Sequence, residues 1–194
     1  VRPTQPCWNA APAARRGAAA LAALALAASI GCGGGGGGGG GGGPTAPPLP
    51  SGISFSAASA PTSGSCFLRQ GPQTNPAKLF LEVRVNDVED WYGVAFDLTF
   101  PAGQLSYLRA TEGPFLTGNT TLEVAEVAGG RLIVGHTKLG NAPGRDGSGL
   151  LFTLEFTPVG NGSGGMTFSN QQAFRTNSFP LNADFIGGTV SVNN

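Results

Sequence analysis

Histidine, methionine and charged residues are scarce in this 194-residue sequence: it has one histidine, one methionine and 11% charged residues. One histidine excludes sites built from several histidine ligands and chemistry by paired histidines. Three of the 11 basic residues precede residue 33, so the rest of the chain carries 8 basic and 11 acidic residues. This net charge of −3 argues against a basic nucleic-acid-binding surface, and nucleic acid is not an expected partner.

Glycine is the residue in excess, and 11 of the 33 glycines form one run at residues 33–43. Such a run has no side chains to bury and behaves as a linker, and the prolines of residues 44–50 extend it. We therefore predict a Gly/Pro-rich linker at residues 33–50 and a folded domain at residues 51–194. That domain of 144 residues is long enough for one sizeable core.

Residues 1–32 have the composition of a bacterial signal peptide. Arg15 and Arg16 precede an uncharged stretch, residues 18–30, which is shorter than the roughly 20 residues needed to span a membrane. It ends in Ser-Ile-Gly-Cys, which resembles a lipobox, so we expect Cys32 to be lipidated and to begin the mature chain. Cleavage by an ordinary signal peptidase is the alternative. The predicted location is the bacterial cell envelope, facing the periplasm or the extracellular space, with membrane contact through the lipid anchor only.

Cysteine usage fits an exported protein without an internal disulfide. Cys7 is removed with the signal peptide and Cys32 is acylated, which leaves Cys66 alone. We expect Cys66 to be a small semi-buried residue and not a reactive thiol.

Alternating apolar and polar residues predict strands throughout the domain. The clearest are residues 78–86, 91–100 and 150–157. Shorter strands are predicted at residues 53–57, 105–109, 122–127, 131–138, 166–169 and 189–192. Turn signals separate these segments, and no stretch after residue 51 shows a sustained helical period. Nine strands at this spacing indicate an all-β sandwich or jelly roll.

The alternation also predicts which side chains form the core. The inward set on two of these strands is Phe96, Leu98, Phe152, Leu154 and Phe156. On the strand at residues 150–157, the outward set is Leu151, Thr153, Glu155 and Thr157. A one-residue shift would exchange the two sets.

Three segments resemble cohesin domains. Residues 82–108 read EVRVNDVEDWYGVAFDLTFPAGQLSYL, similar to the family's V-x-V strand, short acidic loop and apolar strand that ends in an aromatic residue. Residues 145–158 are similar to the segment G-x-G-x-L-x-x-L-x-F, and residues 187–192 to the closing G-x-V-x-V strand. The resemblance implies a nine-stranded jelly-roll β-sandwich, from the superfamily that includes cellulose-type carbohydrate-binding modules.

The resemblance also implies a partner and a binding face. Cohesins bind dockerins, which are small calcium-loaded modules, across one face of the sandwich. The equivalent face here presents Gly93, Ala95, Asp97 and Thr99. Gly93 and Ala95 stand where cohesins carry polar Asn and Asp side chains, which leaves Asp97 and Thr99 for a different partner. Despite this departure at Gly93 and Ala95, the resemblance as a whole makes a dockerin-like protein the expected partner.

No catalytic, cofactor-binding or metal-binding residue is predicted. His136 lies on a strand with no nucleophile motif nearby, which favours a structural or surface role. Residues 86–90 include three acidic side chains but lack the pattern of a calcium loop, which favours a solvated turn between two strands.

Two functions remain. The favoured one is a non-catalytic, membrane-tethered module of cohesin type, linked to polysaccharide-degrading assemblies. The alternative is a carbohydrate-binding module that contacts polysaccharide directly, with Trp91, Tyr92 and Tyr107 as candidate aromatics. Adjacent residues of a strand face opposite sides, so Trp91 and Tyr92 cannot share one flat platform if both lie in a strand.

Overall fold

The structure is a computed structural model that describes residues 52–193. The predicted signal peptide, the linker and Cys32 lie outside the described residues. Within them, twelve β-strands and one 3₁₀ turn, Thr176–Ser178, make up the regular structure. The strands are β1 (Gly52–Ala57), β2 (Ser65–Gln70), β3 (Leu79–Trp91), β4 (Gly93–Thr99), β5 (Leu105–Glu112), β6 (Thr120–Val127), β7 (Arg131–Lys138), β8 (Arg145–Pro158), β9 (Gly162–Phe174), β10 (Pro180–Leu181), β11 (Asp184–Ile186) and β12 (Gly188–Asn193).

These strands form two sheets that pack as a sandwich. The seven-stranded sheet has the order β1-β12-β9-β4-β7-β6, with β10 paired to β9. The five-stranded sheet has the order β11-β2-β3-β8-β5. All pairings are antiparallel apart from β11 with β2. The predicted all-β jelly-roll sandwich is confirmed.

The predicted inward residues form the centre of the core. Phe96, Leu98, Phe152, Leu154 and Phe156 are all buried. Aromatic pairs join the two sheets: the Phe96 and Phe152 ring centroids are 6.2 Å apart, and those of Phe100 and Phe156 are 5.2 Å apart. The predicted register of these residues is therefore correct.

The outward set on β8 is partly wrong. Leu151 is fully buried and belongs to the core. Phe152 pairs with Val83 while Leu150 pairs with Arg84, so Leu151 is an extra residue at a β-bulge and has no partner on β3. Glu155 is also buried, because the side chains of Lys78 and Arg109 form ion pairs with it.

The acidic segment at residues 86–90 is not a turn. It is part of β3, which continues to Trp91 through two register shifts, and the chain reverses only at Tyr92. Asp87 and Asp90 adopt left-handed backbone conformations, with φ of 48° and 52°. Their side chains are engaged by neighbouring segments: Ser63 Oγ donates to Asp87 Oδ2 at 2.7 Å, and the amide of Gly144 donates to Asp90 Oδ1 at 3.2 Å. These distant contacts keep the segment in the sheet.

All nine predicted strands are present, and β2, β10 and β11 were not predicted. Strand β2 contains the apolar run Cys66-Phe67-Leu68, which is buried without alternation and so lacks the period of two. Strands β10 and β11 have two and three residues, too few to show a pattern. Cys66 is fully buried, and burial raises the pKa of its thiol, as expected for a structural cysteine.

Candidate functional site

The candidate residues lie on β4, near the middle of the seven-stranded sheet. β4 pairs with β9 on one side and with β7 on the other. Val94, Phe96 and Leu98 are buried in the core. Because side chains alternate along a strand, the row of Gly93, Ala95, Asp97 and Thr99 lies on the outer face of the sheet.

The four residues differ in how much of this face they offer. Thr99 is exposed and Ala95 is half-buried. Gly93 is buried beneath Thr137, whose Oγ1 would lie 2.6 Å from a Cβ added at Gly93. Asp97 is 8% exposed. The accessible part of the row is therefore centred on Ala95 and Thr99.

Asp97 is held by partners on both neighbouring strands. Asn170 on β9 donates from Nδ2 to Asp97 Oδ2 at 2.8 Å, and Arg131 on β7 lies 3.4 Å from the same oxygen. Asn170 has a left-handed backbone, with φ of 50°, at a register shift between β4 and β9. The irregularity brings the amide of Asn170 to the carboxylate, so the Asp97 charge is compensated within the chain.

A depression beside Ala95 was not predicted from the sequence. Across the sheet, Ala95 pairs with Gly135 on β7, and Gly135 pairs with Glu123 on β6. The depression has a volume of about 390 Å³, and its lining includes Tyr92, Phe174 and Thr121. A Cβ added at Gly135 would meet no atom within 4 Å, so this glycine leaves open space above the sheet. A glycine inside a strand pattern is the signal that could have indicated such a site.

The loops at one end of the depression are held in place by Asp90. Its carboxylate accepts hydrogen bonds from the amide of Gly144 and from the amide and hydroxyl of Thr176. The hydroxyl of Tyr92 donates to the carbonyl of Gly140 at 2.6 Å. These contacts order the rim before any partner binds, which reduces the entropy lost on binding.

Ile133 adds an exposed apolar side chain to the same face. It lies on β7 opposite Asp97 and is 45% exposed, flanked by Ala125 on β6. The exposed part of the centre is thus small or apolar, because Asp97, the charged residue in the row, is only 8% exposed. This arrangement is typical of a protein interface, in which charged residues are depleted at the core of the patch.

His136 lies under this face and points into the core. Its side chain is fully buried, Nε2 lies 3.0 Å from Glu112 Oε1, and Nδ1 has no hydrogen-bond partner. Burial lowers the pKa of His136, and the hydrogen bond and charge of Glu112 oppose that shift. The pair joins β7 of one sheet to β5 of the other. His136 is therefore structural, the role that the strand pattern favours.

No cluster of three His, Cys, Asp or Glu side chains among residues 52–193 could hold a metal ion. In the same part of the chain, no helix has the length and apolar character needed to cross a membrane.

No protein-family model matches the sequence, and no curated protein matches it in sequence. Solved structures with the same fold include cohesin modules. A non-cellulosomal cohesin from Archaeoglobus fulgidus has a TM-score of 0.52 at 18% identity, over 66% of this chain and 89% of that chain. A scaffoldin cohesin from Acetivibrio cellulolyticus, crystallised with a mutant Cel5 dockerin, has a TM-score of 0.58 at 15% identity, over 68% of this chain and 100% of that chain. A type II cohesin from Bacteroides cellulosolvens has a TM-score of 0.58 at 14% identity, with the same coverage. At these identities, the likeness establishes that the domain has the cohesin fold.

Proposed function

We propose that residues 51–194 form a non-catalytic protein-binding module that recognises a dockerin-like partner through the outer face of β9, β4, β7 and β6. The observation that carries this proposal is the centre of that face, where Ala95, Gly135 and Ile133 offer an open and partly apolar surface. The fold supports it, because the cohesin from Acetivibrio cellulolyticus was crystallised with a dockerin.

The small residues of the face suit a helix from the partner. Neither Ala95 nor Gly135 projects a long side chain, so a helix can lie close to the strands. Asp97 is already paired with Asn170 and Arg131, so the partner does not have to neutralise a buried charge. Recognition then depends on shape and on groups at the edges of the face.

We further propose that a lipid on Cys32 tethers the module to the bacterial envelope. The apolar stretch that precedes Cys32 and the glycine run that follows it support this part of the proposal. A tethered module of this kind would hold a partner at the cell surface or in the periplasm. A polysaccharide-degrading assembly is the type of partner that the cohesin resemblance suggests.

Direct binding of polysaccharide is not favoured. Trp91 is fully buried, and Tyr107 packs against Phe156, with ring centroids 5.7 Å apart. Of the three candidate aromatics, only Tyr92 lines the depression. Stacking on a sugar chain requires a flat and exposed row of aromatic rings, which these three residues do not form.

The proposal is tested by immobilising the purified chain and offering it calcium-loaded dockerin modules, with insoluble cellulose as a separate ligand. Saturable binding of a dockerin in calcium, lost in EDTA because the dockerin needs calcium, is the expected result. Thr111, exposed on β5 of the other sheet, provides a control, since Thr111→Arg should bind normally. Retention on cellulose without binding of any dockerin would contradict the proposal.

A further inference from the structure

The depression between β4, β7 and β6 contains one acidic group without a partner. We infer that it accepts a lysine or arginine side chain from the protein that binds this face, an inference that rests on the function proposed above. The floor, the walls and the charge of the depression all match such a side chain.

The floor has room for a long side chain. It consists of the strand backbone at Gly135 and the single methyl group of Ala95, and no atom lies within 4 Å of the position of a Cβ at Gly135. The volume of about 390 Å³ compares with the roughly 30 Å³ that one water occupies in the liquid. A side chain of four or five carbon atoms therefore fits without rearrangement of the strands.

The walls suit an aliphatic stem with a charged end. Tyr92 and Phe174 lie on one side, and aromatic rings make favourable contacts with both methylene groups and cations. Thr121 and Glu123 of β6 lie on the other side. The stems of Lys and Arg are apolar and their heads are cationic, which matches this division.

The charge of Glu123 is uncompensated. Glu123 is exposed, and none of the hydrogen bonds or ion pairs among residues 52–193 involves its carboxylate. The basic residues of β7 are engaged elsewhere, because Arg131 pairs with Asp97 and Lys138 donates to the carbonyl of Pro143 at 2.6 Å. A cationic head group would therefore be the first counter-ion of Glu123, and an acidic side chain would be repelled.

The inference is tested with small probes, so that no partner has to be known. N-acetyl-lysine methylamide and its neutral analogue N-acetyl-norleucine methylamide are titrated into the isotopically labelled protein, and amide chemical shifts are recorded. We expect the lysine probe to shift the amides of Ala95, Gly135 and Glu123 in a saturable manner. Its affinity should exceed that of the norleucine probe by about two- to fivefold, the range for an exposed ion pair.

Two pairs of variants separate the effect of the open space at Gly135 from the effect of the Glu123 charge. Gly135→Val should abolish binding of both probes, because its side chain would project from the floor of the depression, where an added Cβ meets no atom within 4 Å, whereas Gly165→Val on the outer face of β9 should bind both normally. Glu123→Gln should remove the preference for lysine and keep weak binding of both probes. Glu126→Gln, three residues along β6, should retain the preference, because its carboxylate lies near Tyr107, whose pKa is raised by burial and, to a smaller extent, by the Glu126 charge.

Equal affinity for the two probes, shifts centred on other residues, or no saturable binding would overturn the inference. Failure of the proposed function has a different signature: no dockerin would bind the chain, whatever the probes do. If a dockerin binds this face of the wild type and of Glu123→Gln with equal affinity, the result would support the proposed function. It would contradict the inference that a lysine or arginine of the partner pairs with Glu123.

Discussion

Asn170 Nδ2 donates a hydrogen bond to Asp97 Oδ2 across 2.8 Å, and this bond links β9 to β4 on the outer face of the seven-stranded sheet. A carboxylate as buried as that of Asp97 needs a hydrogen-bond donor. The structure supplies that donor from within the chain, together with Arg131 at 3.4 Å. Asp97 therefore orders the face, and its contribution to binding includes the preorganisation of Asn170 and Arg131.

Asp97→Ala should weaken binding of a dockerin-like partner by about 2 kcal/mol or more, because it releases two side chains that the face holds in place. The fold should remain intact. Asp97→Asn keeps an oxygen that can accept the bond from Asn170 and should lose less affinity. Titration calorimetry compares the two variants with the wild type. Identical affinities for all three proteins would show that this part of the face makes no contribution.

Core substitutions test the register of β8. Phe152→Ala should lower the free energy of unfolding by about 3–5 kcal/mol, because the ring is fully buried against Phe96 and His136. Thr153→Ala, at a half-buried position, should lower it by well under about 1 kcal/mol. Urea unfolding followed by circular dichroism gives both values. Equal losses would mean that the register is wrong by one residue.

Leu151 tests the bulge itself. In a regular strand, its side chain would face away from the core and Leu151→Ala would have little effect. In the structure it is fully buried, so the substitution should lower the free energy of unfolding by about 2–5 kcal/mol. A loss comparable to that of Thr153→Ala would contradict the bulge between the pairs Val83–Phe152 and Arg84–Leu150.

The buried His136 should make the domain less stable at mildly acidic pH. Burial lowers the pKa of His136 below its usual value of about 6.5, so the unfolded chain binds the proton more readily than the folded domain. The free energy of unfolding should therefore fall as the pH drops from 7.5 through 6.5 towards 5. Protonation would place an N–H donor at Nδ1, which has no acceptor.

His136→Gln provides the control for this pH effect. Glutamine can donate a hydrogen bond to Glu112 without titrating, so its free energy of unfolding should change little between pH 7.5 and 5.5. The pKa of Glu112 is lowered, first by its hydrogen bond from Thr120, so its own effect begins only below about pH 4.5. If the free energy of unfolding changes with pH equally in the wild type and in His136→Gln, His136 does not cause the loss of stability at mildly acidic pH.

Cys32→Ser tests the proposed anchor. If Cys32 carries a lipid, the variant should leave the membrane fraction or remain unprocessed, because the acylated residue is missing. Mass spectrometry of the wild-type chain should then find a modified Cys32 at the mature N-terminus. Unchanged membrane fractionation together with an unmodified Cys32 would disprove the anchor.

Sequence reasoning succeeded where the information is local. The alternation around Phe96 and Phe152 predicted the core register, because the period of two depends only on neighbours along one strand. It failed at Leu151, where the bulge depends on residues distant in the sequence. The backbone amides of Gly113 and Phe115 donate hydrogen bonds to the carbonyls of Leu151 and Leu150, and no local pattern predicts such contacts.

The candidate site shows the same limit. The row on β4 could be predicted from alternation, whereas the depression depends on the alignment of β4, β7 and β6. Ala95, Gly135 and Glu123 come from three different strands, and only their pairing brings them side by side. The compensation of Asp97 by Asn170 likewise depends on a register shift that no local pattern indicates.

The most direct test of the proposed function is a calorimetric titration of a calcium-loaded dockerin into the wild type and Ala95→Arg. The long charged side chain would occupy the centre of the face, so the account predicts that Ala95→Arg abolishes binding while its circular dichroism stays that of the wild type. Thr111→Arg on the opposite sheet should bind like the wild type. Equal affinity of Ala95→Arg and the wild type would contradict the claim that this face of the sandwich binds the partner.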